Sequence, residues 1–367
     1  MKSFSPRAMM LAVIATPLAF APLAVAAQSP MRADAPPPPV MPMARMAPKP
    51  AADMQAVLDA QAALGAKPIE RLTPDEARRQ PTPADGAKSV MAARGMSTAP
   101  DPAVTTRDLP YGSDPMQFAR IYTPAGAITG AAMPVIVYYH GGGWVIANVD
   151  VYDATPRAMA KALNAIVVSV EYRRAPEVKF PGQHEDAAAA YRWVLANARS
   201  WGGDVSRMAL AGESAGGNLA VATAMMARDM RLPTPRHILA VYPIANSIKT
   251  LPAKRENYNA KPLNTPMLDW FAHYWSRTKA DAMDPRVNLV NAPLRGLPPV
   301  TIVNAYIDPL RSDGETLAVA LRRARVPVEQ RTFPGVTHEF FGMASVVRGA
   351  ADAQGYAMGR LRTALTR

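Results

Sequence analysis

The 367 residues include no cysteine. That excludes disulfides, thiolate metal sites, a cysteine nucleophile and a lipid-modified N-terminal cysteine. Histidine is scarce, at positions 140, 184, 237, 273 and 338 only, so imidazole chemistry has few candidates. Lys and Arg (41) outnumber Asp and Glu (29), a formal net charge of +12, yet no basic run is interleaved with aromatics. The Arg pairs at 78–79, 173–174 and 322–323 stand alone. This is the pattern of a solvated basic surface, and it argues against a nucleic-acid partner. No internal repeat is visible. A long uninterrupted apolar run is also missing. Residues 1–27 carry only Lys2 and Arg7 ahead of an apolar stretch that Pro17 and Pro22 break. The stretch is marginal for spanning a bilayer, and it ends in Ala24-Val25-Ala26 before Ala27-Gln28-Ser29. The expectation is a signal peptide over 1–27, cleaved near Ala26/Ala27. The mature chain would then be periplasmic or secreted, with a net charge of +10 (Lys2 and Arg7 removed) and no stable membrane insertion. The alternative is a retained anchor.

What is present begins with a Pro-, Ala- and Met-rich segment over 28–50, including Pro36 to Pro39, which favours extended conformations and reads as a disordered tether. Residues 51–100 read as a small helical segment. Met54, Val57 and Leu58 have helical spacing, and Thr73-Pro74-Asp75-Glu76 has the form of a capped helix start. From about 116 short β-branched runs alternate with helical stretches. Strands are expected at Phe118–Tyr122, Val135–Tyr139, Ile166–Val170, Met208–Ala211, Ile238–Tyr242, Val300–Asn304 and Val328–Phe333. Helices are expected near 154–164, 184–199, 215–229, 312–325 and 343–365, the fourth opened by a Ser312/Glu315 capping box. The alternation implies an α/β class: a mostly parallel central sheet flanked by helices. Residues 244–285 break the rhythm. Their Trp270, Phe271, Tyr274 and Trp275 sit at helical spacing, as in a lid over a site or an extra helix with its aromatic face on the core. The two readings are compatible.

The chemistry is carried by two motifs. Gly212-Glu213-Ser214-Ala215-Gly216 falls between an expected strand and helix, where a sharp turn exposes a serine hydroxyl above a sheet. His140-Gly141-Gly142-Gly143-Trp144 lies upstream, and its glycines bring backbone N–H groups close to a developing oxyanion. Together with the N–H of Ala215, Gly142 and Gly143 form the expected oxyanion hole. A serine needs a base, and the base needs a carboxylate to orient it. In a fold of this kind the chain order is Ser, then Asp or Glu, then His. His338 lies in a short loop between the last strand and the last helix, whereas His237 sits at a strand entry and His273 on the aromatic helix. Asp308 closely follows the strand at 300–304. Asp313 fits a helix N-terminus, where the dipole favours negative charge, and Asp281 and Asp284 fit a polar loop. The expected triad is therefore Ser214, His338 and Asp308. With a neutral imidazole as base, activity should fall on acidification near the ordinary histidine pKa of roughly 6.5.

With these residues in view, the chain resembles the hormone-sensitive lipase family of α/β-hydrolases, the bacterial family IV esterases. The likeness rests on His140–Trp144, Gly212–Gly217, Asp308-Pro309-Leu310, Gly335–Phe340 and Tyr172–Glu177, and it covers about 105–365. Arg174 stands where the family usually has leucine, and the Pro-rich leader is a second departure. Glu213 is a variant beside the commoner aspartate. The resemblance implies the same triad and oxyanion hole, with His140 and its neighbours ordering the glycine loop. It also implies a cap built from the N-terminal helices and the insertion at about 244–285 of the 101–367 domain, and no cofactor or metal. The implied function is hydrolysis of short- to medium-chain carboxylic esters, with Trp144 and the aromatic helix lining an apolar pocket. Sugar acetates, lactones and amides remain open as substrates, because the triad chemistry is shared. A non-catalytic small-molecule-binding protein also remains open, since plant gibberellin receptors resemble this family but lack the histidine. Homo-oligomerisation is left open.

Overall fold

Fully buried strands read as continuous apolar runs, and this chain supplies several. In the computed structural model, which describes residues 49–126 and 132–366, every residue of Ile166–Val170 and His237–Val241 is buried. The leader at 1–27 and nearly all of the 28–50 tether lie outside the described residues. The strands are β1 (Val104–Pro110), β2 (Phe118–Pro124), β3 (Met133–Tyr139), β4 (Ile166–Val170), β5 (Gly203–Glu213), β6 (His237–Val241), β7 (Val300–Ile307) and β8 (Val328–Thr337). They form one sheet in the order β1-β2-β4-β3-β5-β6-β7-β8. The pairs β1·β2 and β2·β4 are antiparallel and the rest are parallel. All seven expected strands are present. The eighth, β1, was not expected. It is mostly exposed, polar and closed by a proline, as an edge strand can be.

Alternation along the strands sends side chains to opposite faces. Val135 and Val137 pack into one core with Leu219 and Leu317, while Ile136 and Tyr138 pack into the other with Met159 and Leu361. The helices that supply these layers are α4 (Ala154–Leu163), α5 (Gly182–Asn197), α6 (Ala215–Asp229), α9 (Arg311–Arg323) and α10 (Arg348–Thr366). Ahead of the sheet lie α1 (Ala52–Ala63), α2 (Pro74–Arg78) and α3 (Pro83–Ala93). The Thr73/Glu76 capping box forms as expected, and a second, Thr82/Asp85, opens α3. The Ser312/Glu315 box does not form. The helix α9 starts at Arg311, so Ser312 lies inside its first turn and accepts the Ala253 amide instead. Between β6 and β7 the insertion carries α7 (Pro252–Glu256) and α8 (Thr265–Trp275).

Candidate active site

The carboxyl ends of the parallel strands lie along one edge of the sheet, where α/β folds place their ligands. Strand β5 ends at Glu213 and α6 begins at Ala215. Ser214 stands alone between them at φ 57°, ψ −117°, a conformation costly for a non-glycine residue. Its amide is tied to the Val241 carbonyl at 2.9 Å. Gly216 makes the turn feasible: a Cβ there would run into the Tyr139 and His140 carbonyls at the end of β3. After β7, Asp308 is fully buried, and its Oδ1 accepts the Leu310 amide at 2.8 Å. After β8, His338 comes to both. Its Nδ1 lies 2.7 Å from Asp308 Oδ2 and its Nε2 3.0 Å from Ser214 Oγ. Three residues far apart in sequence thus form one hydrogen-bonded chain. Asp308 directs the Nδ1–H, leaving Nε2 to accept from the serine.

The glycine loop follows β3 and turns back on itself, with the Val145 and Ile146 amides donating to the Gly142 carbonyl. Gly142 has φ +93°, and a Cβ would meet the Ile146 carbonyl. Gly142 and Gly143 line the same cavity as Ser214 and His338, and Ala215 is the first residue of α6. Gly141 is held from behind by Tyr172, whose hydroxyl donates to the His140 and Gly141 carbonyls. The His140 ring stacks on Tyr172 at 4.3 Å, and burial lowers its pKa to about 3. It is a neutral packing residue. Glu171 accepts the Val149 amide, and Arg174 donates to the Ala147 carbonyl. The segment 171–175 therefore splints the loop.

Burial alone would lower the pKa of His338. The Asp308 carboxylate, followed by Glu339 and Glu213, more than offsets it and raises the value above 6.5. The acid limb of activity is accordingly expected above the ordinary histidine value rather than at it. Glu213 is buried under the site, with the Tyr138 and Tyr242 hydroxyls donating to it, and burial pushes its pKa to about 7. The Tyr242 ring in turn packs on His338 at 4.4 Å.

Two segments roof the cavity. From the N-terminal region come Ile69, Ala77, Arg78, Gln80 and Thr82, and from the insertion Leu263, Met267, Leu268 and Phe271. The aromatic helix α8 thus both lines the cavity and packs on the core. Phe271 reaches the cavity, whereas Trp270 donates to the Leu72 carbonyl. Trp144 is not a cavity residue. It is buried edge-on against Trp275, 5.1 Å between ring centroids, so it braces the glycine loop from the core side. Arg78 clasps the roof to the core through the Val145 and Ala175 carbonyls and a bidentate pair with Glu177. Lys254 of the insertion meets buried Asp313 at 3.1 Å. Asp313 is in the first turn of α9 as expected, but it also accepts the Ala245 and Asn246 amides. His237 bonds Thr301, His184 bonds Asn218, and Asp281 and Asp284 pair with Arg277 and Arg286. None of these four reaches the triad. The sequence reading did not single out Tyr152 and Glu339. The Tyr152 hydroxyl donates to the Glu339 carboxylate, and both line the cavity.

A family described as having the alpha/beta hydrolase fold matches residues 136–342. The chain is 38% identical over 293 residues to the carboxylesterase NlhH of Mycobacterium tuberculosis, covering 77% of this chain and 91% of that one. It is 32% identical to the ethyl acetate hydrolase of Pseudomonas putida, covering 82% and 94%. The crystal structure of a thermostable esterase from Pseudomonas putida superposes with a TM-score of 0.77 at 26% identity, covering 87% and 98%. Likeness of this extent, on a sheet that holds serine, aspartate and histidine at its carboxyl edge in that chain order, settles the membership: the chain belongs to the hormone-sensitive-lipase-like family IV carboxylesterases of the α/β-hydrolase superfamily.

Proposed function

We propose that the chain is a serine carboxylesterase acting on short- to medium-chain esters, with Ser214 as nucleophile, His338 as base and Asp308 as its orienting partner. The observation that supports this most is the unbroken Asp308–His338–Ser214 hydrogen-bond chain opening into a small, largely apolar cavity. As Oγ attacks the ester carbon, its proton passes to Nε2, and the carbonyl π electrons move onto oxygen. The amides of Gly142, Gly143 and Ala215 receive that oxyanion. Asp308 stays ionised and stabilises the imidazolium. The imidazolium then gives its proton to the departing alcohol, leaving an acyl-serine. Water repeats the sequence, with His338 again as base, and releases the acid.

The test is hydrolysis of p-nitrophenyl acetate, butyrate, octanoate and palmitate by residues 28–367, beside Ser214→Ala. Activity should peak at short or medium chains and vanish in the variant. Preference for palmitate would overturn the chain-length reading, and activity surviving in Ser214→Ala would overturn the nucleophile. We further propose, from the apolar leader that ends in Ala24-Val25-Ala26, that the enzyme is periplasmic or secreted. An N-terminus of the mature protein upstream of residue 20 would contradict that placement.

A further inference from the structure

The lining of the cavity above Ser214 is of two kinds. Ile244, Leu263, Met267, Phe271 and Leu310 are apolar. Tyr152 and Glu339 are a hydrogen-bonded polar pair. Glu339 directly follows the base, and its backbone is left-handed at φ 69°. A non-glycine residue persists in that conformation only where its surroundings hold it there, and such residues cluster at functional sites. Its Oε1 lies 3.7 Å from His338 Nε2. Nε2 is the atom that returns a proton to the leaving alcohol, so the alcohol oxygen must come to it. The first carbons of the alcohol then lie beside the Glu339 carboxylate.

That carboxylate has acceptor capacity to spare. The Tyr152 hydroxyl, with one proton, reaches both oxygens at 2.7 and 2.6 Å. An ionised carboxylate accepts at about four positions. The Glu339 side chain remains 21% exposed toward open space. Beyond it lies a second, larger cleft, about 890 Å³ against about 110 Å³, which shares Pro83, Val151, Tyr152 and Glu339 as wall with the first. Six charges lining that cleft form pairs, Arg120 with Asp150, Arg157 with Asp153 and Lys161 with Asp101, and Lys88 and Glu213 line it as well. A lining this rich in polar groups offers hydrogen bonds, which suits a hydroxylated group better than an alkyl chain.

We infer that Glu339 selects the alcohol half of the ester, and that the substrates are esters of polyhydroxylated alcohols, such as acylated glycerol or sugar, whose hydroxyl next to the ester donates to this carboxylate. The inference rests on the serine-esterase reading above and deepens it. The acyl group takes the apolar lining and the polyol the Tyr152–Glu339 pair. An alkyl alcohol there leaves the carboxylate without a donor, and a site built to bond a hydroxyl discriminates against analogues lacking it.

The test compares 1-monoacetin with propyl acetate, its analogue lacking both hydroxyls, in wild type, Glu339→Gln and Glu339→Leu. Both substrates pass through the same acetyl-enzyme, so changes in folding or base strength cancel in the ratio of kcat/KM. Wild type should favour monoacetin by about tenfold or more, the range of one charged hydrogen bond. The ratio should fall to near one in Glu339→Leu and lie between in Glu339→Gln, whose amide oxygen still accepts. Propyl acetate cleaved as well as monoacetin by wild type overturns the inference. So does a ratio that Glu339→Leu leaves unchanged. If that variant does not fold, the wild-type ratio and Glu339→Gln decide. p-Nitrophenyl acetate is run alongside. Its hydrolysis without a monoacetin preference sinks the alcohol assignment alone, and its absence sinks the esterase reading and this inference with it.

Discussion

At the carboxyl edge of the sheet, the positions of the proposed catalytic residues are fixed by backbone. Ser214 is held at φ 57° between a strand and a helix, Asp308 by the Leu310 amide two residues on, and the glycine loop by amides that donate into Gly142. In the roof above, position is fixed by single long side chains reaching across from one element to another. Arg78 crosses to Val145, Ala175 and Glu177, and Lys254 to Asp313. The first kind of support is local and tied to the strand ends. The second depends on pairs whose members are distant in sequence, and it can be lost one side chain at a time. The two regions should therefore fail differently: damage to the edge should remove rate, and damage to the roof should remove binding.

The largest effect is expected at the edge. Asp308→Asn keeps the shape of the buried side chain but favours the wrong imidazole tautomer, and in a triad of this kind that costs about 10⁴ in kcat. A loss under about tenfold on p-nitrophenyl butyrate would mean that Asp308 does not orient the base. Next comes Gly142→Ala. The added Cβ meets the Ile146 carbonyl at a φ of +93°, so the loop must shift. Losing one oxyanion donor costs about 10²–10³ in kcat. KM should change far less, and a KM-dominated effect would place Gly142 in binding rather than catalysis. The roof comes third. Arg78→Ala frees the Val145 and Ala175 carbonyls and releases Glu177. KM should rise by about tenfold, the scale of a charged hydrogen bond, with kcat changed only a few-fold. If kcat falls while KM holds, the clasp acts through the glycine loop, and the division between edge and roof is wrong.

The same division explains what was legible in the sequence. The edge is built from contiguous motifs, so Ser214, Gly142, Gly143, Asp308 and His338 can be picked out as candidates from spacing and chain order. The roof was visible only as helical patches. Thr82-Pro83-Ala84-Asp85 repeats the logic of the capping box at Thr73, yet α3 was not singled out. The edge strand β1 was missed because, paired on one side only, it needs little apolar alternation. An aromatic beside a glycine loop has two faces to choose from, so Trp144 reads as a pocket residue from the sequence alone. Trp275 and His184 decide the choice, and they lie far along the chain. Ser312 has the spacing of a cap to Glu315, but the helix begins two residues too early for it. Glu339 and Tyr152 gave no local signal. Their hydrogen bond spans 187 residues, and a lone glutamate after a histidine has no periodicity to mark it.

The smallest expected effect lies beneath the edge and tests whether its buried charges act on the base. Glu213 accepts from Tyr138 and Tyr242, and burial lifts its pKa from 4.5 to about 7. Between those values the folded state binds more protons than the unfolded chain. Stability from this group is therefore full below about 4.5 and is lost as pH rises through about 7. Glu213→Gln should remove that slope, worth on the order of 3 kcal/mol at most, while Glu339, also raised by burial, leaves a residual one. Urea unfolding at pH 5 and pH 8 measures it. Activity should move as well. Ionised Glu213 is among the charges that hold His338 above its ordinary value, and only the neutral imidazole accepts the serine proton. The acid limb of kcat/KM should thus lie above 6.5 in the wild type and slide toward lower pH, by a fraction of a pH unit, in Glu213→Gln. A stability slope identical to wild type would mean that Glu213 keeps its ordinary carboxylate pKa in the folded state, and an unmoved limb that the base feels Asp308 and Glu339 without it.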